Sequence, residues 1–202
     1  LFRSVSSYYA LSPNASNPNE CVAFGTSGHR GSSLDKSFNE AHIVAISQAI
    51  VEYRKANGIE GILFIGMDTH ALSMPAFITA IEVFAALGVE VRYEQNFGFT
   101  PTPVISHAVL CENKKATKKA DGVVITPSHN PPRDGGFKYN PPSGGPAGPE
   151  ITDIIQKRAN ELIESGVANI KRVPFEQALK LENIKPYDYI TPYVGDLKTV
   201  VN

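Results

Sequence analysis

The apolar positions along this chain recur with two different spacings. Ile43, Ile46 and Ile50 follow one another at helical intervals, after Ser37 and Glu40 at the spacing of a capping box. Comparable helical periodicity predicts helices over 37–58, 73–88, 102–113 and 150–166. Short apolar runs rich in β-branched residues predict strands over 61–66, 89–93 and 121–126, and a further strand is assigned to 169–173.

This alternation predicts an α/β protein. We expect a three-layer α/β/α sandwich with a mixed, mostly parallel sheet of about four strands. In such sheets, ligands bind at the loops that follow the carboxyl ends of the strands. Two segments follow predicted strands in this way: "DTHALS" (68–73) and "TPSHNPP" (126–132). The second segment places Ser128 at the mouth of the sheet.

Composition and charge narrow the function classes. The chain has 202 residues, of which 42% are hydrophobic, and its formal net charge is −1, so we expect neither a nucleic-acid partner nor a basic membrane-binding patch. No apolar run approaches the roughly 20 residues of a membrane span, and no signal peptide is recognisable. Cys21 and Cys111 match no metal-binding or redox spacing, which favours reduced thiols in a cytoplasmic protein.

The segment 126–150 is rich in Gly and Pro and reads as one long polar loop. Loops of roughly 20 residues are uncommon in compact domains unless they are functional or disordered, and the prolines favour a rigid one. The alternative is that Ser128 is an ordinary turn residue ahead of Asn130 and Pro131, since turns favour Ser and Asn. His129 is adjacent to Ser128, so the two side chains would point in opposite directions, and acyl transfer by such a pair is disfavoured.

Phosphoryl transfer requires positive charge and hydrogen-bond donors around a phosphate. The segment "FGTSGHRG" (24–31) offers glycines for close backbone approach, hydroxyls from Thr26 and Ser27, and the planar cation of Arg30. It lacks the spacing of a Walker A loop. Together with the Ser128 loop, it indicates an anionic, phosphorylated ligand.

These motifs carry a resemblance to a known family. "FGTSGHRG", "TPSHNPPRDGGFKYNPPSGGPA" (126–147), "DTHALS" and "NFGFTPTP" (96–103) resemble the N-terminal domain, domain 1, of the α-D-phosphohexomutases, in particular the bacterial type of phosphoglucomutase. The resemblance runs from about residue 22 to the C-terminus. It implies that Ser128 carries a phosphoryl group, that His129 lies near the reacting sugar oxygens, and that Lys138 and Arg30 assist proton transfer and stabilise charge.

The resemblance also implies ligands and partners. The substrate would be a hexose phosphate, with glucose 1,6-bisphosphate as intermediate and Mg²⁺ bound through the phosphate on Ser128. A second group of residues would contact the substrate or its phosphate: Thr26, Ser27, Gly28, His29 and Asn130. His42 and His70 are interpreted as structural.

Domain boundaries follow from the same resemblance. We expect a lead-in over 1–20, domain 1 over 21–185, and the beginning of a helix toward an absent domain 2 over 186–202. Domains 2–4 would supply the remaining metal, sugar and phosphate contacts, so the chain is expected to be a fragment that is inactive alone. The alternatives are a phosphomannomutase or dual-specificity phosphohexomutase, and a non-catalytic phosphosugar-binding module.

Overall fold

One six-stranded sheet organises the fold in the computed structural model, which describes residues 2–25 and 28–199. Its strands are β1 (His29–Ser32), β2 (Leu63–Met67), β3 (Val91–Glu94), β4 (Asp121–Ile125), β5 (Asp134–Asn140) and β6 (Ile184–Tyr187). The spatial order is β1-β5-β4-β2-β3-β6. Strands β4, β2, β3 and β6 are parallel, whereas β5 pairs antiparallel with both β1 and β4. The mixed, mostly parallel sheet is confirmed, with six strands instead of about four.

Helices cover both faces of this sheet. They are α1 (Phe2–Ala10), α2 (Glu40–Ala56), α3 (Ser73–Ala86), α4 (Thr102–Asn113), α5 (Pro149–Glu164), α6 (Phe175–Ala178) and α7 (Ile190–Leu197). Short 3-10 turns lie at Pro18–Glu20 and Val167–Asn169. Among the described residues, no helix combines the length and apolar character needed to cross a lipid bilayer.

The two faces of the sheet bury separate apolar clusters. Leu63 and Ile65 point into the larger cluster, which contains residues of α2, α3 and α5. Phe64, between them in sequence, packs into the second cluster with Ile105 and Val109 of α4. Burying each large apolar side chain contributes about 1.5–3 kcal/mol. The three-layer sandwich therefore explains why β2 is apolar at every position: neither of its faces meets water.

One strand predicted from the sequence is wrong, and three strands were not predicted. Residues 169–173 form no strand; a 3-10 turn ends at Asn169, and the edge position beside β3 is taken by β6. Strands β1 (HRGS) and β5 (DGGFKYN) were missed because glycines and charges conceal their pairing. The segment 126–150 is consequently not one long loop, since β5 runs through its middle.

The N-terminal residues also belong to the fold. Within the expected lead-in 1–20, α1 places Tyr8 in the core, where its hydroxyl donates to Thr79 Oγ1 of α3 at 2.9 Å. At the other end, β6 spans the expected boundary at residue 185. Helix α2 begins at Glu40, with Asn39 before it, so the capping box assigned to Ser37 is wrong.

Candidate active site

Ser128 lies just beyond the carboxyl end of β4, in a left-handed backbone conformation with φ of 73°. Such a φ costs a residue with a Cβ roughly 1–2 kcal/mol, so the surrounding loop must hold it. Its N–H donates to Thr126 Oγ1 at 2.9 Å, which closes a tight turn. The Ser128 side chain is exposed. The loop therefore presents this hydroxyl to solvent from a fixed and strained position.

Lys138 is the direct partner of this serine. Its ammonium donates to Ser128 Oγ, with Nζ and Oγ 2.7 Å apart. The contact forms because β5 pairs antiparallel with β4 and sets Lys138 opposite Val124, close to where the serine loop leaves β4. Burial lowers the pKa of Lys138 and the nearby charge of Arg30 lowers it further, whereas Asp68 opposes the shift. The lowered pKa makes the neutral amine available at a lower pH than for an ordinary lysine.

Arg30 lies on β1, the third strand of this region. Strand β1 pairs with β5 so that Arg30 lies opposite Gly136, and the Arg30 side chain is exposed. A Cβ at Gly136 would overlap the Thr126 carbonyl, so a glycine is needed where the serine loop crosses β5. Gly28 has a similar role, because a Cβ there would lie 2.6 Å from the Lys138 side chain. Lys138 thus contacts the hydroxyl, and the Arg30 charge is close enough to lower the Lys138 pKa, an arrangement suited to phosphate oxygens.

The segment 24–31 brings fewer side chains to the Ser128 site than its sequence predicted. Thr26 and Ser27, expected to contact substrate or phosphate, lie outside the described residues. His29 points into the protein, where its side chain stacks between Phe38 and His42 and is 1% exposed. Burial and the neighbouring His42 lower the pKa of His29 to about 3, so its ring is neutral at pH 7. A buried neutral imidazole cannot contact a phosphate on the surface, and the assignment of His29 to substrate binding is corrected.

The interpretation of His42 as structural is confirmed. Its Nδ1 accepts from the Asn39 N–H at 3.0 Å, and its Nε2 donates to the Glu20 carbonyl at 2.8 Å. The ring therefore joins the start of α2 to the segment before β1.

The second loop holds the serine loop in place. His70 Nδ1 lies 2.8 Å from Asp68 Oδ2, and His70 Nε2 lies 3.1 Å from the Asn130 carbonyl oxygen. The two ring nitrogens thus face acceptors on two different loops. His70 is thus structural, as expected, and it links the loop after β2 to the loop after β4.

Asp68 completes this link. Its carboxylate accepts from Ser73 Oγ at 2.6 Å, from the His70 N–H at 2.9 Å and from the Thr126 hydroxyl. Burial opposes its ionisation, but these hydrogen bonds prevail and its pKa lies below the ordinary value. Thr126 in turn receives the Ser128 N–H, so a continuous chain of hydrogen bonds runs from α3 to the serine. Sequence reasoning did not identify Asp68, although an Asp at the carboxyl end of a buried strand could have indicated it.

His129 and Asn130 occupy the outer part of the loop. The His129 side chain is exposed beside Ser128. The Asn130 side chain donates to Asp134 Oδ2 at 3.1 Å, and its carbonyl is held by His70. Of the two, His129 is the more exposed.

The described residues fit a Mg²⁺ ion only in part. Mg²⁺ requires near-octahedral oxygen ligands, which include carboxylates in most protein sites. Ser128 could supply one through a phosphate, but the nearby Asp68 carboxylate already receives several protein donors. The remaining ligands would have to come from outside the described residues.

Comparison with known proteins places this geometry in a family. The family model described as "Phosphoglucomutase/phosphomannomutase, alpha/beta/alpha domain I" matches residues 22–165. A phosphoglucomutase of Komagataeibacter xylinus is 60% identical over 196 residues, which are 96% of this chain and 35% of that protein. Phosphoglucomutase 1 of Saccharomyces cerevisiae is 32% identical over 192 residues, covering 87% of this chain and 32% of that protein. The chain thus spans about a third of the length of these relatives.

Solved structures agree with these matches. A crystal structure from Thermus thermophilus of a protein described as a phosphomannomutase superposes with a TM-score of 0.70 and 25% identity, covering 90% of this chain and 36% of the other. The Paramecium phosphoprotein parafusin, in its open form, has a TM-score of 0.74 at 21% identity and shows the same fold. The family match over 22–165, the similarity to one phosphoglucomutase over 96% of this chain and the shared fold agree: this chain belongs to the phosphoglucomutase/phosphomannomutase family and contains its α/β/α domain I.

Proposed function

We propose that this chain is the serine-bearing domain of a phosphoglucomutase, which interconverts glucose 1-phosphate and glucose 6-phosphate through a phosphoserine and glucose 1,6-bisphosphate. The observation that carries the proposal is the 2.7 Å hydrogen bond from the Lys138 ammonium to Ser128 Oγ at the carboxyl edge of the sheet. A serine without such a partner is a poor nucleophile. If Ser128 were only a turn residue, it would have no need of a buried lysine beside its hydroxyl.

Each residue has a defined part in the transfer. The bond between the Ser128 oxygen and phosphorus breaks as phosphorus bonds to a sugar hydroxyl oxygen. The Lys138 ammonium donates a proton to the leaving Ser128 oxygen, and His129 accepts the proton of the attacking hydroxyl. In the reverse step the neutral Lys138 amine takes the serine proton, which its lowered pKa favours. Arg30 balances the charge of the transferring phosphoryl group, which is close to −2 on the serine.

The cofactors and partners in this proposal are Mg²⁺, which would neutralise charge on the serine phosphate, and a hexose phosphate substrate. The relatives are about three times as long as this chain, which supports the participation of further domains. We propose that the domain covers residues 21–185 together with α1 and the rest of β6, and that the connection toward those domains lies within the remainder of 186–202, where α7 is exposed. The 202-residue chain alone should therefore show no mutase turnover, and measurable turnover by the purified chain would contradict this.

The test uses the whole gene product that carries this chain, with Mg²⁺ and a trace of glucose 1,6-bisphosphate. Ser128→Ala should lower kcat/KM for glucose 1-phosphate by on the order of 10⁴-fold or more, since it removes the phosphoryl carrier. Lys138→Met should lower kcat by about 10²–10⁴-fold, as expected for loss of a proton-transfer group. Lys118→Met is the matched control, because Lys118 is exposed and pairs only loosely with Glu60, at 3.5 Å.

The outcomes separate the alternatives. Comparable kcat/KM for glucose 1-phosphate and mannose 1-phosphate would favour a dual-specificity enzyme. Binding of both sugars without turnover, in a gene product of full length, would favour a non-catalytic phosphosugar-binding module. Activity that survives Ser128→Ala would show that the serine and the mechanism built on it are wrong.

A further inference from the structure

Three metal-binding side chains converge away from Ser128, between α4 and α7. His107 and Cys111 lie one turn apart on α4, and Asp196 approaches them from α7. His107 Nε2 is 2.7 Å from Asp196 Oδ2 and 3.4 Å from Cys111 Sγ, and the sulfur is 4.0 Å from the same carboxylate oxygen. Cys111 lies in the last turn of α4, close to Asn113, which bonds the backbone of Ala120 just before β4 begins. This cluster is therefore near the edge of the sheet opposite to the serine loop.

The separations suit one tetrahedral ion. Zinc bonds of about 2.0–2.3 Å to nitrogen, oxygen and sulfur place the ligand atoms about 3.3–3.8 Å apart. The distance from His107 to Cys111 already falls in this range, and that from Cys111 to Asp196 is slightly longer. The shorter distance from His107 to Asp196 would have to open, and the Asp196 side chain, 63% exposed, has room to move.

A catalytic Cys-His-Asp relay does not explain the cluster. In such a relay the acid bonds one ring nitrogen of the histidine and the nucleophile bonds the other. Here Asp196 and Cys111 both approach Nε2 of His107. Three donor atoms facing a single point match a shared cation, which takes one lone pair from each.

We propose that His107, Cys111 and Asp196 bind a zinc-type divalent cation, with the fourth position open to water. A thiolate with an imidazole selects zinc over magnesium, which prefers oxygen ligands. The site is thus distinct from the Mg²⁺ of the proposed function. The cluster has no local sequence signature, because Asp196 comes from a helix 85 residues beyond Cys111.

The consequence of binding concerns α7. None of the residues of this helix is buried, and among the contacts that hold it are the edge-on packing of Tyr193 against the His107 ring and the bond from His107 to Asp196. An ion bonded to both helices would fasten α7 to the body of the domain. Because α7 is where the chain leaves the sheet, the ion would fix the direction of the following residues.

The test starts from a Cys21→Ala variant of this chain, in which Cys111 is the only thiol. Addition of Zn²⁺ should slow alkylation of Cys111 by on the order of 10-fold, because a metal-bound thiolate is a weaker nucleophile, and an equal concentration of Mg²⁺ should not. Co²⁺ should give a thiolate-to-cobalt charge-transfer band and tetrahedral visible bands. Cleavage by protease within 190–197 should slow in the presence of Zn²⁺.

Matched variants decide the result. His107→Ala and Asp196→Asn should each weaken Zn²⁺ binding by at least roughly the 10–100-fold that loss of a supporting partner costs in known metal sites. Asp153→Asn, an exposed acid on α5, should leave it unchanged. Since Asp196 is exposed, its variant keeps the fold, and circular dichroism verifies this. The proposal is overturned if Zn²⁺ fails to protect Cys111, or if the protection persists in the double variant of His107 and Asp196.

Discussion

Polar side chains lie at the start of strand β4 and just beyond its end, and the two sites differ in burial and in backbone conformation. At its start, Asp121 is fully buried and accepts from Arg54 Nε at 2.9 Å and from the Tyr139 hydroxyl at 2.6 Å. Beyond its end, Ser128 is exposed, has a left-handed backbone and meets Lys138. Both ends combine a cation with an oxygen, yet only one of these pairs faces solvent.

The difference shows how one strand serves two purposes. The buried pair joins α2, β4 and β5, and Arg54 also donates to the Gly61 carbonyl at 2.6 Å, so the surrounding structure depends on it. The exposed pair is held from outside by the loop after β2 and has a hydroxyl available to a ligand. We expect changes at the first end to alter stability and changes at the second to alter function.

The largest effect on stability is expected at the buried end. Asp121→Ala should lower the free energy of unfolding by about 3–5 kcal/mol, because it leaves the Arg54 charge buried without its partner. Urea unfolding measures this change. The control is Glu60→Ala, which removes an exposed ion pair with Lys118 and should cost at most about 1 kcal/mol. Equal losses in the two variants would mean that burial of the pair is unimportant.

The pH dependence of the unfolding free energy tests the same buried pair. Burial raises the pKa of Asp121 to about 6, although Arg54 and Tyr139 oppose the shift. The folded state therefore holds a proton that the unfolded chain releases near pH 4, so the contribution of Asp121 to stability falls as pH rises from about 4 to 6. The difference in unfolding free energy between the wild type and Asp121→Asn should shrink by roughly 3 kcal/mol over this window. A difference that is constant with pH would contradict the raised pKa.

At the exposed end, His70 is expected to stabilise the loop after β4 by less than the buried pair stabilises the fold. His70→Ala removes the hydrogen bonds to Asp68 and to the Asn130 carbonyl, which should cost about 1–3 kcal/mol locally. Hydrogen exchange of the amides in 126–134 should then accelerate about tenfold or more for each 1.4 kcal/mol lost. His129→Ala, which alters an exposed neighbour, should leave the exchange unchanged. An unchanged rate in His70→Ala would show that the loop holds itself.

The smallest effect concerns the strain at Ser128. Ser128→Gly should raise the free energy of unfolding by about 1 kcal/mol, since glycine adopts a φ of 73° without the penalty of a Cβ. Ser128→Ala keeps the Cβ and should change stability by less than about 0.5 kcal/mol. Thermal unfolding of both variants measures the comparison. If alanine stabilises the chain as much as glycine does, the hydroxyl and not the backbone is the source of strain.

Sequence periodicity located the regular elements whose signals are local. The cores of α2, α3, α4 and α5 were predicted within a few residues, because their apolar positions repeat along one face. Strands β2 and β4 were recognisable as largely apolar runs, since both sides of a central parallel strand are covered. Strand β6, with the sequence IKPY, was not, because proline and lysine are tolerated only at an edge such as the one it occupies.

The candidate site also combines features that the sequence predicts with features that it does not. The residue types around Ser128 could be chosen from sequence, because strands of a parallel sheet present their carboxyl ends at one edge. Which of those residues meet was decided by pairing between distant segments. The register of β5 against β4 brings Lys138 to the serine, and packing of β1 turns His29 inward but leaves Arg30 outside.

The sequence by itself determined the α/β class, the buried strands, the serine loop and the family resemblance, because each rests on patterns among neighbouring residues. The tertiary structure alone decided the antiparallel strands β1 and β5, the contact of Lys138 with Ser128, and the meeting of His107 and Cys111 with Asp196. These features depend on hydrogen bonding and packing between segments far apart in the chain. Glycine and charged residues give little local signal for such contacts, and their positions become fixed only when the sheet and its covering helices form together.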